Sequence, residues 1–311
     1  MKKYSLILLF VFAFLFGNVN AQSSVDSIQL NKEFSDLDEA LKDPENVYRL
    51  NLSNQELQFP DTIWSKFTNL RYLSLKNDHL TQIPTGVSYL KNLIVLDLSG
   101  NDFEVLPTNF SQLTNLQELY LNDEKYFKFD KNISILSSLP NLRSLHIEND
   151  GLTSLPEDIS KLSHLESLYL NNNNFKQIPT GVSSLKTLKL LDLSGNNFKV
   201  LPESFTNLTN LQVLFLNDDK KFNFKKNIGI LSALPSLTSL HIENDGLKSL
   251  PKDISRLSHL ESLYLNDNKF KQIPTGLNKL ESLQYLDVHG NKFILPTDDM
   301  KTKDLGFKIR Y

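Results

Sequence analysis

Apolar residues fall in one repeating order along most of the chain. At Leu93, Leu96, Leu98, Phe103 and Leu106, and again at Leu188, Leu191, Leu193, Phe198 and Leu201, the order is L-x-x-L-x-L-x-x-N-x-L-x-x-L-P. Asn101 or Asn196 holds the fixed polar position, and Pro107 or Pro202 closes the unit. The L-x-L segment alternates apolar and polar residues, which predicts a short strand with one face buried. Pairs such as Ile159/Leu162 and Ile254/Leu257, after the L-P step, predict short helical turns on the opposite side. The unit is 23 residues long, and its first positions are Val47, Leu70, Leu93, Leu116, Leu142, Leu165, Leu188, Leu211, Leu237, Leu260 and Leu283. The units starting at Leu116 and Leu211 are stretched to 26 residues. A longer period of 95 residues lies above these: Ser144–Leu152 (SLHIENDGL) returns as Ser239–Leu247, and Leu165–Leu170 (LESLYL) as Leu260–Leu265.

This pattern resembles the leucine-rich repeat family over nearly all of Val47 to Pro296. The resemblance implies an α/β solenoid, a right-handed superhelix or horseshoe with a parallel concave β-sheet and short helical turns on the convex side. It also implies that Asn101, Asn173, Asn196, Asn268 and Asn291 hydrogen-bond the backbone of adjacent turns. Asp78, Asp150 and Asp245 stand at the same position and have no amide proton to donate. Those turns are expected to be looser or wetter. In the long units, Lys125–Phe129 and Lys220–Phe224 replace the L-P step. Their phenylalanines are expected to fill the vacated apolar slots, and Ile133/Leu136/Leu139 and Ile228/Leu231/Leu234 to add a helical turn.

The ends read differently. Lys2, Lys3, an apolar run from Leu6 to Phe16 and the small Ala21 predict a secretory signal at 1–21, cleaved before Gln22. The run is too short for a membrane span, and no second one follows. Residues 22–46 are expected to form an N-terminal helical cap, with Ser35 and Asp38 in capping-box spacing and Phe34, Leu37 and Leu41 on one face. Residues 47–296 hold the eleven repeats. Residues 297–311 form a C-terminal cap ending in an edge strand at Phe307–Tyr311. A stacked array of this kind needs both of its apolar ends covered.

Composition narrows the function. Loss of Lys2 and Lys3 takes the formal charge from −3 to −5, which argues against a nucleic-acid partner. The chain has no cysteine, so disulfides and thiol catalysis are out. Relatives exported by eukaryotes usually have disulfide-bonded caps, so the lack of cysteine points to a bacterial protein, secreted, periplasmic or on the cell surface. The outward residue of each strand forms a row across the concave face that includes Asp97, Tyr120, His146, Tyr169, Asp192, Phe215, His241, Tyr264 and Asp287, with Tyr72 in the row beside it. Ten inter-strand steps span about 48 Å. Aromatic residues standing on a solvent-facing sheet suit burial against a partner, and the alternative is that neighbouring rings stack on each other along the row. These ten residues are therefore the candidate site, with the histidines lying between exposed aromatic rings.

Chemistry is not expected there. Ser144, His146 and Glu148 share one side of a strand, as do Ser239, His241 and Glu243, but residues two apart have Cα atoms about 6.6 Å from each other. That spacing predicts no nucleophile–base contact, and an open sheet excludes no water. The acidic turns Asp123/Glu124 with Glu148–Asp150, and Asp218/Asp219 with Glu243–Asp245, lack any calcium-loop spacing and are expected to be solvated. The expectation is a monomeric, non-enzymatic protein without metal or cofactor that binds a protein partner. Glycan binding, or a structural role at the cell surface, is the alternative.

Overall fold

The structure, a computed structural model, describes residues 30–56, 60–293 and 306–311. The signal expected at 1–21, residues 22–29 of the expected N-terminal cap and 297–305 of the expected C-terminal cap lie outside the described residues. Short strands dominate: β1 (Glu33–Phe34), β2 (Arg49–Asn51), β3 (Tyr72–Ser74), β4 (Val95–Asp97), β5 (Glu118–Tyr120), β6 (Ser144–His146), β7 (Ser167–Tyr169), β8 (Leu190–Asp192), β9 (Val213–Phe215), β10 (Ser239–His241), β11 (Ser262–Tyr264), β12 (Tyr285–Asp287) and β13 (Lys308–Arg310). They form one parallel sheet in sequence order, neighbour on neighbour. Successive repeats pair without slippage, Leu96 opposite Leu119 and Leu119 opposite Leu145. This is the open, curved sheet of an α/β solenoid.

Stacking works because each repeat buries the same positions. The inward leucine of each strand from Leu50 to Leu286 is fully buried, and each such side chain contributes about 1.5 to 3 kcal/mol relative to exposure. One turn position constrains the backbone. Two residues past each strand's last inward apolar residue the chain adopts a left-handed φ, at Gly100 and Gly195 in two repeats and at Asn149, Asn172, Asp218 and Asn244 in others. Glycine has no Cβ to clash there, and Asn and Asp tolerate the region better than other residues.

The asparagine that follows stitches turns together. Asn101 Oδ1 accepts the amides of Asp78 (3.1 Å) and Leu80 (3.0 Å), while Nδ2 donates to the carbonyls of Leu75 (2.8 Å) and Leu98 (2.6 Å). Asn173 and Asn268 repeat the arrangement. On the convex side most repeats make a single 3₁₀ turn, whereas the two long ones form α-helices (Phe129–Ser137 and Phe224–Leu231). Phe127 and Phe129 are buried there in edge-to-face contact, with ring centroids 4.7 Å apart. Asn132 joins this segment to the previous repeat: its Oδ1 accepts the Leu106 amide at 2.7 Å, and Asn227 does the same for Leu201.

The N-terminal end departs from the sequence reading. Phe34 is not helical; Glu33–Phe34 is strand β1 and pairs with β2. Only Leu37–Ala40 is α-helical, and its cap is Asp36, whose Oδ1 accepts the Glu39 amide at 2.8 Å, rather than Ser35. The open edge of β2 offers unpaired backbone groups, and pairing with them wins over extending a weak helix.

Candidate binding face

In-register parallel pairing sets the outward side chains of β5, β6 and β7 side by side, and likewise those of β9, β10 and β11. Strands about 4.8 Å apart suit flat rings lying nearly parallel. His146 is sandwiched between Tyr120 and Tyr169, with centroids 3.9 and 4.1 Å away. His241 lies between Phe215 and Tyr264 at 4.1 and 4.0 Å. The histidines are therefore not exposed between aromatic anchors: His146 is 3% and His241 5% accessible, and Phe215 is 7%. The tyrosines remain part-exposed at the edges of the stacks. Each tyrosine rung both packs on its neighbour and presents one edge to solvent.

Carboxylates fix the rings. His146 Nδ1 lies 3.1 Å from Glu148 Oε1, and its Nε2 lies 3.0 Å from Glu118 Oε1 and 3.1 Å from Ser144 Oγ. With a carboxylate at each nitrogen, both must carry hydrogen, so the ring is an imidazolium. Burial opposes that charge, but the hydrogen bonds and charges of Glu118 and Glu148 outweigh it, and the His146 pKa is raised. Burial likewise opposes ionising Glu118 and Glu148, yet the imidazolium holds both below the ordinary range. Tyr120 donates its hydroxyl to the same Glu118 oxygen at 2.6 Å.

The second copy lacks one acid. Val213 pairs with Ser239 where Glu118 pairs with Ser144. His241 Nδ1 still meets Glu243 Oε1 at 3.1 Å, so this nitrogen carries the hydrogen and Nε2 accepts from Ser239 Oγ at 3.2 Å. Burial now wins over Glu243, and the His241 pKa is lowered. The two rings are sandwiched alike, but their hold on a proton is shifted in opposite directions, raised in His146 and lowered in His241.

These contacts overturn the expectation that Ser, His and Glu two residues apart cannot meet. Side chains lean along the strand and close the gap that the Cα spacing leaves. The result has the order of a Ser–His–acid relay, yet the amides around Ser239 are already used, Thr238 and Ser239 both donating to the Gln212 carbonyl. Neither amide is free to hold an oxyanion. The other candidate residues serve the turns and the ends of the face. Asp97 and Asp192 accept the amides of Ser99 and Ser194, each at 2.9 Å. Asp287 is buried and lies 2.5 Å from His289 Nδ1 and 3.4 Å from Arg310 Nη1. Tyr72 lies under the Arg49 guanidinium at 4.1 Å.

Sequence models of the leucine-rich repeat region match residues 50–157 and 128–245, and a leucine rich repeat model matches 235–293. The chain belongs to the leucine-rich repeat family. No curated protein sequence matches it. Among solved structures, an internalin of Listeria monocytogenes is 25% identical, with a TM-score of 0.53 over 80% of this chain and 75% of that one. TLR13, solved with a single-stranded RNA, is 24% identical, with a TM-score of 0.62 over 85% of this chain and 47% of that one. Toll of Drosophila, solved with Spatzle, is 20% identical, with a TM-score of 0.51 over 80% of this chain and 38% of that one.

Residues outside the expected set complete the site of this leucine-rich repeat protein. Asn171 Nδ2 holds Glu148 Oε2 at 2.9 Å and Asn266 Nδ2 holds Glu243 Oε2 at 2.8 Å. Glu118 was legible from register alone, since it stands beside Ser144 on the neighbouring strand. The acidic turns differ from expectation in part: Asp123 and Asp218 are exposed, but Glu124 and Asp219 are buried. Glu124 and Asp150 occupy the asparagine position in adjacent repeats, as do Asp219 and Asp245. Asp150 Oδ1 accepts the Glu124 amide at 2.6 Å and Asp245 Oδ1 the Asp219 amide at 2.5 Å. The other oxygen, where asparagine would have its NH₂, is buried without a partner in Asp150 and Asp245. Burial pushes Glu124 up to about 9 and Asp219 to about 8, with neighbouring carboxyls adding to it, and burial is the main cause in Asp150 and Asp245, both at about 7.

Proposed function

We propose that this is an exported, non-enzymatic recognition protein of bacterial type whose concave face binds a protein partner. The observation that carries the reading is the pair of ring stacks: Tyr120, Tyr169 and Tyr264 each pack on a buried, hydrogen-bonded histidine while keeping an edge at the surface. Rings held this way are already ordered before a partner arrives, so binding them costs little conformational entropy. The fold itself admits more than one ligand class, since the structures similar to it include Toll with Spatzle and TLR13 with RNA. Charge favours protein. From Asp97 to Glu243 the outward strand rows hold carboxylates and no Lys or Arg, a face that repels phosphates. Export rests on the signal pattern at 1–21, and no helix among the described residues is long and apolar enough to cross a membrane.

The test replaces the tyrosines and follows a partner captured on the immobilised protein. Interface anchors typically lose 2 kcal/mol or more on truncation, so Tyr169→Ala with Tyr264→Ala should weaken the partner about thirtyfold or more by surface plasmon resonance. Replacing Lys125, Lys128, Lys225 and Lys226 on the convex side should change little. If affinity survives the tyrosine changes and falls with the lysines, the recognition surface is the convex side and the reading is wrong.

A further inference from the structure

Carboxylates punctuate the concave row at a regular interval. Asp97, Asp192 and Asp287 occupy every fourth rung, and a ring stack fills each interval: Tyr120–His146–Tyr169 in the first and Phe215–His241–Tyr264 in the second. Four inter-strand steps correspond to about 19 Å. At both ends of the face this chain already seats its own guanidinium groups, Arg310 on Asp287 at 3.4 Å and Arg49 over the Tyr72 ring at 4.1 Å. These contacts show what the face holds when a cation is supplied. Asp97 and Asp192 have no such ion pair among the described residues, and burial, with the Glu148 and Glu243 carboxylates adding to it, pushes the Asp192 carboxyl up to about 6.

Resting on the concave-face reading above, we propose that the partner enters as an extended segment crossing the strands, with two basic side chains seated on Asp97 and Asp192 and the chain between them lying on Tyr120 and Tyr169. The dimensions select the spacing. An extended chain advances about 3.3 Å per residue, so about six residues bridge the two carboxylates. An even separation also places both basic side chains on the same side of the extended segment. Tyrosine faces add cation–π attraction beside each carboxylate. A helical partner fits less well, because about 19 Å along a helix takes roughly thirteen residues, and a helix would lay a mixed surface over the rungs.

Two labelled peptides of identical length and composition test this by fluorescence anisotropy against the whole protein. One has its two arginines about six residues apart, and the other has them adjacent. The spaced peptide should bind roughly tenfold tighter at low salt, with the difference shrinking as salt rises. Asp97→Asn with Asp192→Asn keeps the side-chain oxygens that accept the Ser99 and Ser194 amides, so the turns stay formed while the charge goes. That double variant should bind both peptides equally weakly. Equal binding of the two peptides by the unaltered protein, or a spacing preference that survives the double variant, overturns the proposal. Failure of the broader reading looks different: the captured partner would then ignore Tyr169→Ala, whereas a partner sensitive to Tyr169→Ala alongside indifferent peptides removes only the basic, extended segment.

Discussion

The stack around His146 and the stack around His241 come from one duplicated sequence and end in different electrostatic states. Both strands read Ser-Leu-His-Ile-Glu, both histidines are sandwiched by aromatic rings, and both hydrogen-bond a glutamate two residues on. Two neighbours differ, Val213 for Glu118 and Phe215 for Tyr120, and the first changes the number of carboxylates at the ring. Glu118 gives His146 a second carboxylate, and Val213 gives His241 none. Burial acts on both rings in the same direction, so the sign of the shift is decided by whether hydrogen bonds and charge outweigh it. A repeat array can thus hold its geometry constant and vary charge rung by rung, because each outward position touches only adjacent repeats.

The strongest way to break the comparison is to remove the extra acid. Glu118→Val should cost about 2 to 3 kcal/mol in chemical denaturation, since it strips one partner from a buried charged network. The pH dependence has a definite window. The raised His146 contributes stability that is present below its ordinary value of 6.5 and is lost as pH rises through the higher folded value. The lowered Glu118 contributes stability present above its ordinary 4.5 and lost as pH falls through the lower folded value. The penalty of the substitution should therefore be largest between about pH 5 and 6.5 and smaller at pH 9. An equal loss at every pH would mean that Glu118 acts by packing alone.

The acidic turns sharpen the same contrast one layer deeper. Glu124 reaches the Asn101 amide with one oxygen at 3.0 Å, whereas Asp219, one methylene shorter, makes no full hydrogen bond with either oxygen and the Asn196 amide compensates its burial only in part. Asp219→Asn and Asp245→Asn supply the missing donor that Asn101 uses at its own turn, and each should stabilise by about 1 kcal/mol near neutral pH. The sign follows from raised carboxyl values: the acids' stabilising contribution is present below their ordinary 3.8 and is lost as pH rises through about 7 to 8. The advantage of asparagine should then grow from about pH 4 to pH 8. A gain that is flat with pH would show that the carboxyls are ionised throughout.

Period and alternation made the solenoid legible, since both depend on which residues are apolar and how far apart they stand. The outward row was legible for the same reason, down to the order of Asp97, Tyr120, His146 and Tyr169. Stacking along the row was one of two readings that this order left open, and which one holds, with the rest of what the side chains do to one another, was not legible. The stacking of Tyr120 on His146 depends on flat rings one strand apart, and the 3.1 Å contact of Ser144 with His146 depends on rotamers that Cα spacing does not convey. The dryness of Asp219 at 1% exposure depends on packing from adjacent repeats, where the sequence shows only an acidic turn. The start of the array misled for a further reason: helical spacing at Phe34, Leu37 and Leu41 competes with the open edge of β2, and only the structure shows that the edge captures Phe34.

The smallest effect is also the most specific. Val213→Glu places a carboxylate beside Ser239, in the register that Glu118 has beside Ser144. If one missing acid is the whole difference between the stacks, His241 should change from lowered to raised, because the new carboxylate's hydrogen bond and charge then outweigh burial as Glu118 does at His146. Stability at pH 8 should barely respond, because Val213 is only part-buried and the new acid can turn toward water. The measurement is a proton–nitrogen NMR titration of the two histidines, in which His146 of the unaltered protein should titrate above 6.5 and His241 below it. In the variant both should titrate above. Should His241 stay low after Val213→Glu, the separation between the copies would lie in the burial imposed by Phe215 in place of Tyr120, and not in the count of carboxylates.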